Sequence, residues 1–174
     1  MKRGVIISGN LAQDHEFIYP YYRLLEEEVE LDICLLEGKS VVGILGTTLP
    51  PNKEHPIKKI EEIKVKDYDI LVLPGGVKAM EKVRQNKDII KFISDFNKEK
   101  KIIACICSGA QLLISAKVVK GRKIAGYYSM KDDLVNAGAE YTDLPAVIDD
   151  NIITTAHYKD CLLYTSPSPR DEKV

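Results

Sequence analysis

Chemistry in this chain of 174 residues would start from a thiol. Cys107 lies in KIIACICSGAQLLISA, Lys101 to Ala116, where a short apolar, β-branched run meets a turn of small residues and then a good helix-forming sequence. Strand, tight turn, helix is the layout of a nucleophile elbow, which lifts the turn residue above the carboxyl end of a sheet, beside N–H groups and a helix start. The positive end of that helix favours a thiolate, so a thiol titrating below its usual value of about 8.5 is expected. The competing reading is a small buried apolar residue, as most free cysteines are. Cys34 and Cys105 fall in strand-like runs and read as core. Cys105 and Cys107 form a CxC without the second ligand pair that zinc asks for, so no metal is expected. The histidines are His15, His55 and His157, none of them next to Cys107.

The elements that must position the thiol follow from periodicity. Arg3 to Ser8 reads as a buried strand broken by Gly9-Asn10. Asp14 is the expected N-cap of a helix carrying Phe17, Ile18, Tyr21, Leu24 and Leu25 at helical spacing, with Pro20 near its first turn. Glu30 to Leu36 is a second strand, Val41 to Leu45 a third within a hairpin, and Thr47 to Pro56 a proline-rich loop. Asp69 to Leu73 is the next buried strand, followed at once by Pro74-Gly75-Gly76. Helices are expected over Val77 to Asn86 and Lys87 to Glu99, the second with an apolar stripe of Ile89, Ile90, Ile93 and Phe96. After the elbow come a short strand to Ala125, a helix over Lys131 to Asn136, and a hairpin of Ala146 to Asp149 with Ile152 to Thr155. Alternating strands and helices predict a mostly parallel sheet covered on both faces. Ligands bind such sheets at the carboxyl ends of the strands, which here carry Ser8-Gly9, Pro74 to Gly76, and Cys107.

Composition narrows the function. Lys+Arg is 25 against Asp+Glu 26, a formal net charge of -1, which gives no electrostatic case for nucleic acid. No apolar run reaches the roughly 20 residues that span a bilayer. With no signal peptide in MKRGVIIS, a cytoplasmic protein with reduced thiols is expected. The last stretch, CLLYTSPSPRD from Cys161, has no partner periodicity and resembles translated sequencing-adapter read-through. One domain over residues 1–160 and a non-native or disordered tail over 161–174 are therefore expected, and Cys161 is left out of the chemistry.

To about Asp160 the chain resembles the ThiJ/PfpI superfamily, which is class I glutamine amidotransferase-like, in its PfpI-like branch. The resemblance rests on DHEFIYPYYRLLEEE, DILVLPGG, ACICSGAQLLISA and KGRKIAGYYSMKDDLVNAGAEYTD, in the family's order. It implies a flavodoxin-like α/β three-layer sandwich with a mostly parallel central sheet, assembled as a homodimer or higher homo-oligomer, and needing no cofactor. It places Cys107 at the reactive cysteine and Glu16 at an acid that hydrogen-bonds it. Gly75 and Gly76 fall in the loop whose N–H groups face that cysteine, with Ser108 completing an oxyanion site. For Glu16 to help a thiolate it must be protonated, since a second negative charge would raise the thiol. Tyr127 and His157 fall at pocket positions.

The chain also departs from the pattern. Peptidases of the branch carry His after the cysteine, where this chain has Ser108, and a hydroxyl cannot replace imidazole as a base. The residue before His157 is Ala156 where the branch often has arginine. The resemblance thus implies a cysteine-dependent hydrolase or lyase acting on a small carbonyl or amide compound, glyoxalase- or deglycase-like. The alternatives are an intracellular peptidase or amidase, or a non-catalytic redox-sensing stress protein.

Overall fold

A computed structural model describes residues 1–160; the expected tail, 161–174, lies outside the described residues. In chain order the elements are β1 (Arg3–Ser8), α1 (Asp14–Glu26), β2 (Glu30–Leu35), β3 (Val41–Val42), β4 (Thr48–Leu49), β5 (Ile57–Lys58), β6 (Ile70–Leu73), α2 (Val77–Val83), α3 (Lys87–Lys98), β7 (Ile102–Ile106), α4 (Ala110–Ser115), β8 (Lys123–Ala125), α5 (Lys131–Asn136), β9 (Glu140–Thr142), β10 (Ala146–Asp149) and β11 (Ile152–Thr155). Seven of the strands form one sheet in the order β10-β11-β7-β6-β1-β2-β5. All pairs are parallel except β10 with β11, which is the expected hairpin. The architecture is therefore α/β with a mostly parallel central sheet flanked by helices, as the sequence predicts.

The inner strands are apolar nearly throughout because both faces are covered. Val5, Ile6, Ile7, Leu71, Val72, Leu73, Ile103 and Ile106 are all buried. α1 packs on β1 and β2, while α2 and α3 both pack on α4. The face α3 turns inward is Ile89, Phe92, Ile93 and Phe96. Phe92 takes the place that the apolar stripe assigns to Ile90, because the buried arc spans Phe92 and Phe96, one turn apart and stacked at 5.7 Å.

Three local expectations are corrected. The N-cap of α1 is Gln13, whose side-chain oxygen accepts the Glu16 N–H at 2.9 Å. Asp14, one residue on, is freed to tie down the β3–β4 hairpin: its two oxygens accept the N–H groups of Leu45 (2.7 Å) and Thr47 (3.0 Å). Pro20 lies in the middle of α1, not its first turn. It has no N–H to give to the Glu16 carbonyl one turn back, and the helix survives because Phe17, Pro20 and Tyr21 are packed in the core. The proline-rich loop holds a short strand that its composition hid, β4, which pairs with β3, and directly after the loop β5 closes one edge of the main sheet.

The sheet order reverses at β1, whose neighbours are β2 and β6. A crevice opens above the carboxyl ends where strand order reverses. The Pro74–Gly76 turn leaves β6 at that point, and the Cys107 turn leaves β7 beside it.

Candidate active site

β7 ends at Ile106, and Cys107 begins a single 3-10 turn that leads into α4. Its backbone is left-handed, with φ +55°. A β-carbon is strained there, and such strain persists only where the surroundings enforce it. Gly109 enforces it: a β-carbon at that position would sit 2.5 Å from the Leu73 carbonyl oxygen and 3.1 Å from Cys105 Sγ. The turn is therefore pressed onto β6. Cys107 is half-buried and Cys105 fully so.

Glu16 reaches this turn from α1. It is buried at 0% exposure. Its Oε2 accepts the Gly75 N–H at 2.7 Å. Its Oε1 is buried with no partner among the described residues, and the carboxyl interacts with the Cys107 thiol. Burial pushes the carboxyl up to about 7, against the Gly75 N–H and the thiol, which both pull it down. Gly75 has to be glycine here, because a β-carbon would overlap Glu16 Oε2 and press on Ile106 O and Ser108 Oγ.

Two expectations about electrostatics change. Gly75 and Gly76 were expected to aim their N–H groups at a substrate oxyanion. Gly75 donates to Glu16, and Gly76 donates to Ser108 Oγ at 2.9 Å, so both serve the side chains that surround the sulfur. Gly76 adopts φ +106°. The thiol does not titrate low. Burial first, and then the Glu16 charge, push it up to about 12, although the Ser108 N–H and hydroxyl both favour its ionised form. A helix start of six residues does not outweigh desolvation. Ser108 is 1% exposed; having accepted from Gly76, its hydroxyl keeps a proton to offer the sulfur.

Tyr127 and His157 come together at the mouth. Their rings lie 5.7 Å apart, and His157 packs on Tyr158 at 4.1 Å. Tyr127 leans on Tyr128 at 4.5 Å. Its hydroxyl is held above its ordinary range first by its bond to Tyr128 and also by the nearby Cys107 charge. His15 stacks on Tyr158 at 5.4 Å and joins the same array. Its Nδ1 lies 3.1 Å from Gln13 Nε2. The signal in the sequence was Tyr158 directly after His157, which carries an aromatic surface back across to α1. His55 lies away from these rings, packed edge-on to Tyr21 at 5.5 Å. Among the described residues no three His, Cys, Asp or Glu side chains cluster as metal ligands, and no helix is long and apolar enough to cross a membrane.

Comparison with known proteins gives the family. A protein of Archaeoglobus fulgidus is 41% identical over 153 residues, 88% of each chain. Deglycase PfpI of Pyrococcus furiosus is 38% identical over 153 residues, 88% of this chain and 89% of the relative. Among solved structures, a two-domain protein of Anabaena variabilis with DJ-1/ThiJ/PfpI-like and ferritin-like domains superposes with a TM-score of 0.88 at 27% identity. That match takes in 95% of this chain but only 46% of the larger one, so this chain spans about half of it. The model of the DJ-1/PfpI family matches residues 2–167. With that match over nearly its whole length and relatives of 38–41% identity, the chain belongs to the DJ-1/PfpI family.

Proposed function

We propose that the protein is a cysteine-dependent deglycase or glyoxalase, acting on small α-oxoaldehydes and on the adducts they form with amines. Cys107 is the nucleophile and Glu16 carries the proton. The observation that carries this reading is the placement of Glu16: fully buried, one oxygen fixed by Gly75, and its carboxyl interacting with the Cys107 thiol. A carboxyl near 7 matches the pH at which it must both take and give a proton. The name of the Pyrococcus furiosus relative, a deglycase, supports the same class.

The thiol is not a standing thiolate, so it is activated as it reacts. As sulfur bonds to the electrophilic carbon, the S–H proton passes to the Glu16 carboxylate. With a free aldehyde, the C=O electron pair moves to oxygen, which faces the Ser108 N–H and hydroxyl and then receives the proton from Glu16. With an amine adduct, the C–N pair leaves with nitrogen, which takes that proton. Both routes give a hemithioacetal on Cys107. Moving the proton on the sulfur-bearing carbon to the neighbouring carbon, and the hydroxyl proton to the neighbouring oxygen, converts it to a thioester, which water cleaves to a 2-hydroxy acid and the free thiol. The absence of imidazole next to Cys107 favours this over peptide hydrolysis. Tyr127 and His157 would border the substrate at the mouth.

The exposed run Val42, Ile44 and Leu45 on the β3–β4 hairpin supports the homo-oligomer that the family resemblance implies. The test of function is to incubate the protein with methylglyoxal and with methylglyoxal-modified N-acetylarginine, and to follow lactate and released N-acetylarginine by NMR. Both should form with wild type and neither with Cys107→Ser. Equal rates in the two proteins would overturn the proposal.

A further inference from the structure

β11 and β7 run side by side in parallel, and their last register pair is Thr155 with Ile106. Cys107 comes one residue past that pair and His157 two, so both leave the sheet at the same end. His157 is half-buried there, its ring packed against Tyr127 at 5.7 Å and Tyr158 at 4.1 Å. The Lys159 N–H donates to its Nδ1 at 3.1 Å. A neutral imidazole has one donor and one acceptor nitrogen. With Nδ1 accepting, the proton of the neutral ring sits on Nε2. A backbone N–H cannot turn round to become an acceptor, so the tautomer is fixed by the turn. A substrate that meets Nε2 therefore meets a donor and not a base. Tyr127, at the same mouth, has its hydroxyl engaged with Tyr128.

We infer that His157 is the hydrogen-bond donor for the second oxygen of the α-oxoaldehyde held on Cys107, through an Nε2–H that the Lys159 N–H keeps in place. This rests on the carbonyl reading of Cys107 and adds a group for the step after the thiol has bonded. In the hemithioacetal the first oxygen faces Ser108, and the isomerisation puts charge on the other one. As the proton leaves the sulfur-bearing carbon for the Glu16 carboxylate, its bonding pair forms a carbon–carbon double bond. The pair of the neighbouring C=O moves onto that oxygen. His157 stabilises the charge there and keeps its own proton, and the oxygen then takes the hydroxyl proton of the first. A preorganised donor aimed at developing charge lowers the barrier without reorganising at the moment of reaction.

The first measurement needs no turnover. Acetohydroxamate carries two oxygens on neighbouring atoms in one plane, as the enediolate does, and offers the thiol no electrophile; acetamide lacks the second oxygen. Wild-type protein labelled with nitrogen-15 at histidine is titrated with each, in metal-free buffer, and followed by NMR. His157 should show an unprotonated Nδ1 and a protonated Nε2, and acetohydroxamate should shift Nε2 and bind about tenfold more tightly than acetamide. His157→Phe, which keeps a ring against Tyr127 and Tyr158, should abolish that preference. His157→Gln, whose amide nitrogen can stand near the place of Nε2, should keep most of it. With methylglyoxal, His157→Phe should lower kcat by about 10²-fold and change KM little, and His157→Gln should recover most of the loss. Thermal melts check that both variants fold, and the nitrogen-15 readings stand on wild type alone. A proton on Nδ1, equal binding of the two probes, a preference that survives His157→Phe, or an unchanged kcat in that variant overturns the inference. If wild type prefers acetohydroxamate through His157 and yet leaves methylglyoxal untouched, the catalytic reading falls and the donor stands as a binding site for paired oxygens.

Discussion

Oε2 of Glu16 accepts the N–H of Gly75 at 2.7 Å across 59 residues of chain. This bond joins α1 to the turn after β6 and holds a carboxyl under the sulfur of Cys107.

The first prediction follows from the shape of that contact. Gly75→Ala places a methyl group where Glu16 Oε2 sits. The protein should fold, since the displaced group is a side chain, but the carboxyl should leave the sulfur. Carbonyl turnover should drop by about 10²–10³, the scale of losing one preorganised catalytic group. Turnover and thermal unfolding measured on one preparation would check it; normal turnover would contradict the arrangement.

Glu16 sets the pH profile. Its carboxyl must be ionised to take the thiol proton, so kcat/KM should fall as pH drops below about 7, the value to which burial pushes it. No alkaline limb should follow in the ordinary range, because the thiol is pushed up to about 12. Initial rates from pH 5 to 9 would show this. Glu16→Gln should lose most activity and the acid limb with it.

The same group has a stability signature of opposite sense. Its folded value lies above the unfolded one, about 4.3 for a free glutamate, so its contribution is fully present at low pH and is lost as pH rises through about 7. Glu16→Gln keeps an acceptor for Gly75 without a buried charge. It should be more stable than wild type at pH 8 by about 1–3 kcal/mol, with the gap closing at pH 5. Denaturant titrations at the two pH values would check it, and a destabilised variant at pH 8 would count against it.

Much of this was legible in the residues. The strand Arg3–Ser8, the helix Lys131–Asn136 and the hairpin at 146–155 fall where periodicity and turn chemistry put them. So does the left-handed Cys107, because an apolar strand running straight into Ser-Gly and a helix leaves little other geometry. What was hidden depends on contacts far apart in sequence. Asp14 looks like a cap until the hairpin it holds is folded against it. Ser108 looks like a poor substitute for histidine until Gly76 is seen to donate to it. The raised thiol was missed because a helix start is visible in sequence and desolvation is not.

Ser108→Ala tests that hidden contact. It leaves the buried Gly76 N–H without its acceptor, a cost of about 1–3 kcal/mol, and removes the hydroxyl beside the sulfur. Stability and turnover should both fall. Cys105→Ala, at a fully buried neighbour outside the proposed chemistry, should keep most activity.

Asp14 gives a contrasting titration. Burial alone would raise its carboxyl, but the N–H groups of Leu45 and Thr47 outweigh burial and hold it below the usual range. Its contribution is therefore present above the unfolded value, about 3.9, and is lost as pH falls through the lower folded one. Asp14→Ala should destabilise the fold at neutral pH by about 1–3 kcal/mol and speed amide exchange at Leu45 and Thr47. Unchanged exchange there would disprove the clasp.

The missing β-carbon of Gly75 also constrains inheritance. Because that space is filled by the Glu16 carboxyl, the two positions cannot drift separately. A lineage that shortens residue 16 gains room for a side chain at 75. Once that side chain is there, restoring glutamate at 16 would do nothing, because the carboxyl could no longer reach the sulfur. Loss of this chemistry would work as an evolutionary ratchet, recorded in descendants as paired changes at 16 and 75.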